Sequence, residues 1–231
     1  DGAHFAERLE ADGVPVEYHN YDDMIHGFMS MISDPVDIDR VVAEAKSPVD
    51  PPWFSEENPL IVGVGRLIRL KQFSVLIQAL KRVRRRVDAR LVLIGRGPRR
   101  EALMKQANEL GLRDRVDFLG FVDNPYKYMK GADLLAHPSR HEGFGLVLVE
   151  ALACGTPVVA TNVWGAPEII TNPSVGMLVE RTVEDIAGGL CRALSRQWDR
   201  DLIAEHVRKR DWDAVADELH ALYSQKLSKD V

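Results

Sequence analysis

Cysteine is scarce in this chain, aromatic residues are few and no long apolar run occurs, and each shortage removes a class of protein. Two cysteines, Cys154 and Cys191, in 231 residues make neither a disulfide framework nor a four-ligand zinc site, which suits a reducing cytoplasm. No apolar stretch approaches bilayer-spanning length, and the first residues are too charged for a secretory signal. A formal net charge of -5 argues against a dedicated nucleic-acid binder. The local exception, Lys81, Arg82, Arg84, Arg85 and Arg86, ends a predicted helix, where cations complement the dipole and face water. Gly63-x-Gly65 and Gly95-x-Gly97 each begin a dinucleotide fingerprint, but Ile68 and Arg100 stand where its third glycine belongs. Asp37-Ile38-Asp39 and Asp211-Trp212-Asp213 have a metal-transferase spacing, yet cap and surface roles fit them better, and no metal site is expected.

What remains is ordinary globular material, 45% hydrophobic. Short apolar runs recur at Leu60 to Val64, Leu91 to Ile94, Val116 to Leu119, Leu134 to Ala136, Val158 to Ala160 and Met177 to Val179. Helix-length amphipathic stretches lie between them, such as Phe73 to Val83 with apolar positions 73, 76, 77, 80 and 83. Strands alternating with helices predict an α/β fold, a Rossmann-like parallel sheet with helices on both faces. Right-handed crossovers put the strand C-terminal ends on one edge, where open sheets bind ligands.

The predicted edge carries two glutamates eight positions apart, Glu142 and Glu150, around G-F-G-L-V-L-V. A helix N-terminus offers N–H groups and partial positive charge, and Gly143 and Gly145 let the backbone approach a phosphate closely. The two carboxylates then face hydroxyls, which is a way to build a nucleotide-sugar site. Taken alone, the same pair also suits a first-turn dipole partner and a solvated helix residue. His137 and His141 flank the Ser139 loop, where packing is the default for each, although His141 beside Glu142 is placed to polarise a donor hydroxyl.

From Pro59 onward the ordered pieces V-G-V-G-R-L with Lys71 after it, L-V-L-I-G-R-G-P, R-V-D-F-L-G-F-V, A-D-L-L-A-H-P-S, H-E-G-F-G-L-V-L-V-E-A-L-A-C-G-T-P-V-V-A-T, A-P-E-I-I and G-M-L-V resemble the C-terminal, donor-binding half of a retaining GT-B glycosyltransferase of family 4 (glycosyl transferases group 1). The resemblance implies transfer of a sugar from a nucleotide-diphosphate sugar, such as a UDP- or GDP-sugar, to an acceptor of unknown identity. Configuration is retained, with no metal or other cofactor. It makes Arg66 and Lys71 the pair that neutralises the donor diphosphate, Glu142 the acid near the transferred sugar and Glu150 the acid on the ribose hydroxyls. Gly143, Phe144 and Gly145 supply backbone amides, Gly65 and Leu146 border the donor, and Arg96, Phe121 and Val122 line the base pocket. Without the resemblance, Lys71 reads as a surface residue at a helix N-terminus.

This chain departs from the family where Gln72 follows Lys71 in place of glycine and where Trp164 replaces a second glycine. Both departures leave the donor preference open. A GT-B enzyme has two Rossmann-like domains, and no counterpart of the N-terminal acceptor half is expected within these residues. A homo-oligomer is one expected way to cover the exposed half-interface. In place of that half, residues 1-48 resemble the C-terminal end of a hormone-sensitive-lipase-type α/β-hydrolase, with His26 at the triad-base position. No G-x-S-x-G turn accompanies it, so His26 is expected to be a relic or a packing residue. The expected layout is this short α/β extension, with a strand at Val14 to Tyr18 and a helix from Val36, then a proline-rich linker at 49-58 and the donor-binding domain at 59-231. A final amphipathic helix carries Trp212, Val215, Leu219, Leu222 and Leu227.

Overall fold

The computed structural model describes residues 37–49, 58–143, 145–163 and 165–208. The chain divides between Pro35 and Val36, and every described residue lies in the second part. Six strands, β1 (Leu60–Val64), β2 (Arg90–Ile94), β3 (Val116–Gly120), β4 (Leu134–His137), β5 (Val158–Thr161) and β6 (Gly176–Val179), form one sheet in the order β3-β2-β1-β4-β5-β6. Every pairing is parallel, with Val62 opposite Val92 on one side and Leu135 on the other. All six lie where the apolar runs predict them, within one residue at either end.

Alternation along the strands sorts the core into two layers. One face carries Leu60, Val62, Val92, Ile94, Leu135, Val158 and Ala160 and meets helices α1 (Ile38–Glu44), α4 (Tyr126–Gly131), α5 (Leu146–Ala153), α6 (Ala166–Ile169) and α8 (Arg200–Arg208). The other carries Ile61, Leu91, Leu93, Leu134, Ala136 and Val159 and meets α2 (Phe73–Val83), α3 (Arg100–Glu109) and α7 (Val183–Leu194). Successive strand side chains point to opposite faces, so a sheet buried on both sides needs apolar residues without interruption, which is what these runs supply. Helix α2 buries Phe73, Leu76, Ile77, Leu80 and Val83, the five positions its periodicity predicts. A side chain at Gly63 on β1 would come within 2.9 Å of Leu93 and 3.0 Å of Phe73, so α2 sits directly on the central strand.

One element packs differently from its expected grouping. Helix α1, capped by the Asp37 side chain accepting from the Arg40 N–H at 2.9 Å, falls in the stretch grouped above with the hydrolase-like segment. Its Val41 and Ala45 are buried in the first core layer, against the same sheet. Helix α1 therefore groups by its contacts with the sheet. The physical reason is plain: an apolar helix face is stable only when covered, and the sheet domain covers this one. Its other attachment is polar, from the Asn124 side-chain amide to the Glu44 carbonyl at 2.9 Å. The predicted strand at Val14 to Tyr18, His26, most of the linker, Trp164 and the tail helix lie outside the described residues.

Candidate functional site

Strand order reverses between β1 and β4, whose following connections run to opposite ends of the sheet and leave a crevice at their C-terminal ends. The loops bordering that crevice are fastened by backbone. The Arg140 N–H donates to the Leu70 carbonyl at 2.8 Å, joining the loop after β4 to the loop after β1. The buried Thr161 hydroxyl at the end of β5 donates to the Ser139 carbonyl at 2.5 Å. The loop after β2 lies against the loop after β1 so closely that a side chain on Gly95, at φ +138°, would fall 2.0 Å from the Gly65 carbonyl oxygen. A side chain on Gly97 would meet the Leu67 carbonyl oxygen at 2.4 Å. The truncated dinucleotide fingerprint at these glycines is thus a consequence of loop-on-loop packing.

Glu142 is the centre of the crevice. Its Oε2 forms an ion pair with Lys71 Nζ, accepts from His137 Nε2 at 2.6 Å and accepts from Ser139 Oγ at 3.3 Å. Three donors converge on one oxygen, while Oε1 has no hydrogen bond among the described residues. The Lys71 and Glu142 side chains are only 17% and 14% exposed, so solvent weakens the pair little. Burial alone would raise the Glu142 carboxyl, but the hydrogen bond from His137 and the Lys71 ammonium outweigh it and hold the group down at about 2. His137 at the end of β4 is 2% exposed, and desolvation lowers its pKa, so the neutral imidazole is the form that donates to the carboxylate.

The second acid has the opposite surroundings. Glu150 sits on the second turn of α5, and the only hydrogen bond of its side chain among the described residues comes from the Tyr126 hydroxyl to Oε1 at 3.4 Å. Burial raises its carboxyl, and the one hydroxyl opposes this only in part. Burial and the neighbouring Glu150 charge push the Tyr126 phenol up to about 12, so it remains a proton donor. Burial likewise pushes the nearby Cys154 thiol up to about 12, which leaves it inert.

The remaining predicted positions gather on the same edge. Gly65 follows β1 with its Cα beside the Lys71 stem, a built Cβ lying 3.6 Å from Lys71 Cε. Arg66 is exposed on that loop and has no ionic partner among the described residues. The Arg96 guanidinium lies 5.2 Å from the centre of the Phe121 ring, which is 60% exposed, and Val122 packs on the core beneath. Gly143 and His141 are exposed beside Glu142. Gly145, at φ +86°, caps α5, whose first residue is Leu146. Left-handed backbone there turns the chain so that the helix N-terminus opens on the crevice. Phe144 lies outside the described residues.

The family model for glycosyl transferases group 1 matches residues 50–210. This chain belongs to that family. It is 38% identical to an uncharacterized glycosyltransferase of Methanocaldococcus jannaschii over 73% of this chain and 45% of the relative. It is also 38% identical to a GDP-mannose-dependent alpha-(1-6)-phosphatidylinositol monomannoside mannosyltransferase of Mycobacterium tuberculosis, over 68% of this chain and 43% of that protein. Among solved structures, sucrose-phosphate synthase of Thermosynechococcus elongatus matches with a TM-score of 0.63 and 29% identity, over 81% of this chain and 49% of the other. The chain thus spans about half the length of the relatives it matches. Among the described residues, no helix is long and apolar enough to cross a membrane.

Within this group 1 domain, sequence reasoning named the two acids and the lysine but not the groups that hold them. His137 is assigned to packing by default, yet its Nε2 fixes Glu142. The available signal is its place at the last residue of a strand next to the reversal of strand order, five positions before the acid. Ser139 and Tyr126 give no sequence signal, because their contacts depend on how separate loops dock.

Proposed function

We propose that this chain binds the nucleotide-diphosphate sugar in a retaining, metal-independent glycosyl transfer to an acceptor. The observation that carries the reading is the convergence of Lys71, Glu142 and the α5 N-terminus on one crevice. The diphosphate is placed against the α5 amides and the Gly143 backbone, with Arg66 and Lys71 opposite. A leaving nucleoside diphosphate gains negative charge as the glycosidic bond breaks. Two cations, one of them held by Glu142, and aligned N–H groups stabilise that charge more in the transition state than in the ground state, which is the source of rate acceleration. Glu142 Oε1 accepts from a hydroxyl of the transferred sugar and orients it for attack from the face the leaving group departs. Glu150 accepts from the ribose hydroxyls, and Arg96 with Phe121 provides a surface for the base.

The name of the mycobacterial relative supports a nucleotide-sugar donor, and the second reading is binding of the donor without transfer. Titration calorimetry with UDP-, GDP- and ADP-sugars, followed by product analysis on candidate acceptors, separates the two. Binding accompanied by product, or by hydrolysis of the donor, supports transfer. Binding alone supports the second reading, and no binding of any nucleotide sugar rejects both.

A further inference from the structure

We propose that Tyr126 is a positioning residue that holds Glu150 in the orientation needed to accept from a ribose hydroxyl. This rests on the donor-site reading above and assigns a role to a residue which that reading does not use. The half-buried Glu150 carboxylate has no cation partner and one side-chain hydrogen bond among the described residues, from Tyr126 to Oε1. A carboxylate with a single hydroxyl partner has one oxygen fixed and the other open, so the tyrosine decides which way the open oxygen faces. Tyr126 is itself held. The Asn124 side-chain carbonyl accepts from the Tyr126 and Lys127 N–H groups at 3.1 and 3.3 Å, starting α4. The amide of the same side chain donates to the Glu44 carbonyl at 2.9 Å at the end of α1. Through Asn124, a helix outside the matched span 50–210 braces the loop that carries the tyrosine. The Cys154 thiol adds a contact of 3.6 Å to the Tyr126 carbonyl, tying α4 to α5 near Glu150.

The test uses the full chain, calorimetry with UDP and GDP, and then the 3′-deoxy and 2′-deoxy forms of whichever binds. A net hydrogen bond of ordinary strength corresponds to roughly a three- to ten-fold change in affinity, and Tyr126→Phe is expected to weaken the ribonucleotide by that factor. Against the deoxynucleotide that lacks the hydroxyl held by Glu150, wild type and Tyr126→Phe are expected to bind equally, and Glu150→Gln is expected to abolish the ribose preference. Melting curves check that the ring-conserving variant is folded. An equal loss on ribose and deoxyribose forms means a structural role and overturns the inference, as does an unchanged affinity for the ribonucleotide. If the wild type binds neither UDP nor GDP, the same titration is run with ADP, and no binding of any of the three brings down the donor-site reading and this inference together. Wild-type binding with an indifferent tyrosine removes the inference alone.

Discussion

Glu142 and Glu150 stand eight residues apart on one loop and helix, yet their surroundings are opposite. Glu142 is gripped by an ammonium, an imidazole and a hydroxyl on one oxygen, and its carboxyl is held at about 2. Glu150 has only a tyrosine hydroxyl, and burial raises its carboxyl. Each acid nevertheless keeps one oxygen without a partner among the described residues. The difference shows how surroundings give two identical side chains opposite tendencies: one is held ionised in a charge network, and the other is pushed toward its neutral form by burial.

The largest expected effect comes from breaking the first grip. Glu142→Gln and Lys71→Ala should each lower transfer or donor hydrolysis by about 10²-fold or more, the usual scale for removing a preorganised charge partner. The two should part company on free nucleotide. Glu142→Gln releases the Lys71 ammonium from its internal counter-ion and should tighten UDP or GDP binding in calorimetry, whereas Lys71→Ala should weaken it. If both variants weaken the nucleotide equally, the Glu142–Lys71 pair does not compete with the diphosphate. Glu150→Gln should cost less, about ten-fold in donor affinity with little change in kcat, as expected for lost hydrogen bonds to a hydroxyl. It should also raise the melting temperature of the unliganded protein, because the charge removed is one that burial disfavours. A lowered melting temperature would mean that the Glu150 carboxylate stabilises the empty fold.

The third prediction concerns pH. His137 has a folded pKa below its unfolded value near 6.5, so below that pH the unfolded chain binds a proton that the folded chain refuses. Stability contributed by the neutral imidazole is complete above about 6.5 and declines as pH falls toward the folded pKa, at a slope of at most about 1.4 kcal/mol per pH unit. Glu142 acts in a lower window, between its unfolded value of 4.5 and about 2. Melting curves between pH 7 and 5 exclude Glu142, and the difference between wild type and His137→Gln separates the histidine from the raised Glu150 carboxyl, which acts in the opposite sense. His137→Gln, which can donate from a similar position without titrating, should flatten the decline, and an unchanged decline assigns it to other groups.

The sheet and its two-layer core were legible because their signals are local. Leu60 to Val64 or Val158 to Ala160 read as buried strands wherever they occur, and α2 announces its buried face at every third or fourth residue. The docking of α1 was not legible, since a seven-residue helix with Val41 and Ala45 as its buried anchors does not say which surface will cover them. The position of Lys71 at the site came from family likeness, because 71 residues separate it from Glu142 and no periodicity links them. His137 and Tyr126 escaped for a related reason. Their role is set by a partner carboxylate that only the folded loops bring near.

The smallest expected effect tests a departure that the sequence did show. Gln72 occupies a place where the family usually has glycine, and in the structure it has φ +49°, the one non-glycine residue with positive φ among the described residues. It forms the hinge between the short 3-10 turn carrying Lys71 and the start of α2, and its buried Oε1 has no hydrogen-bond partner among the described residues. Left-handed backbone costs an L-residue about 1–2 kcal/mol, while glycine adopts it freely but loses more chain entropy on folding. The net expectation for Gln72→Gly is a gain of roughly 0.5–1 kcal/mol in thermal or urea unfolding. Gln72→Ala separates the two sources, since alanine removes the unpartnered amide and keeps the backbone strain. If alanine stabilises as much as glycine, the buried oxygen is the cause; if only glycine does, the strained hinge holds Lys71 in place at the expense of stability, and donor affinity should fall in the same variant.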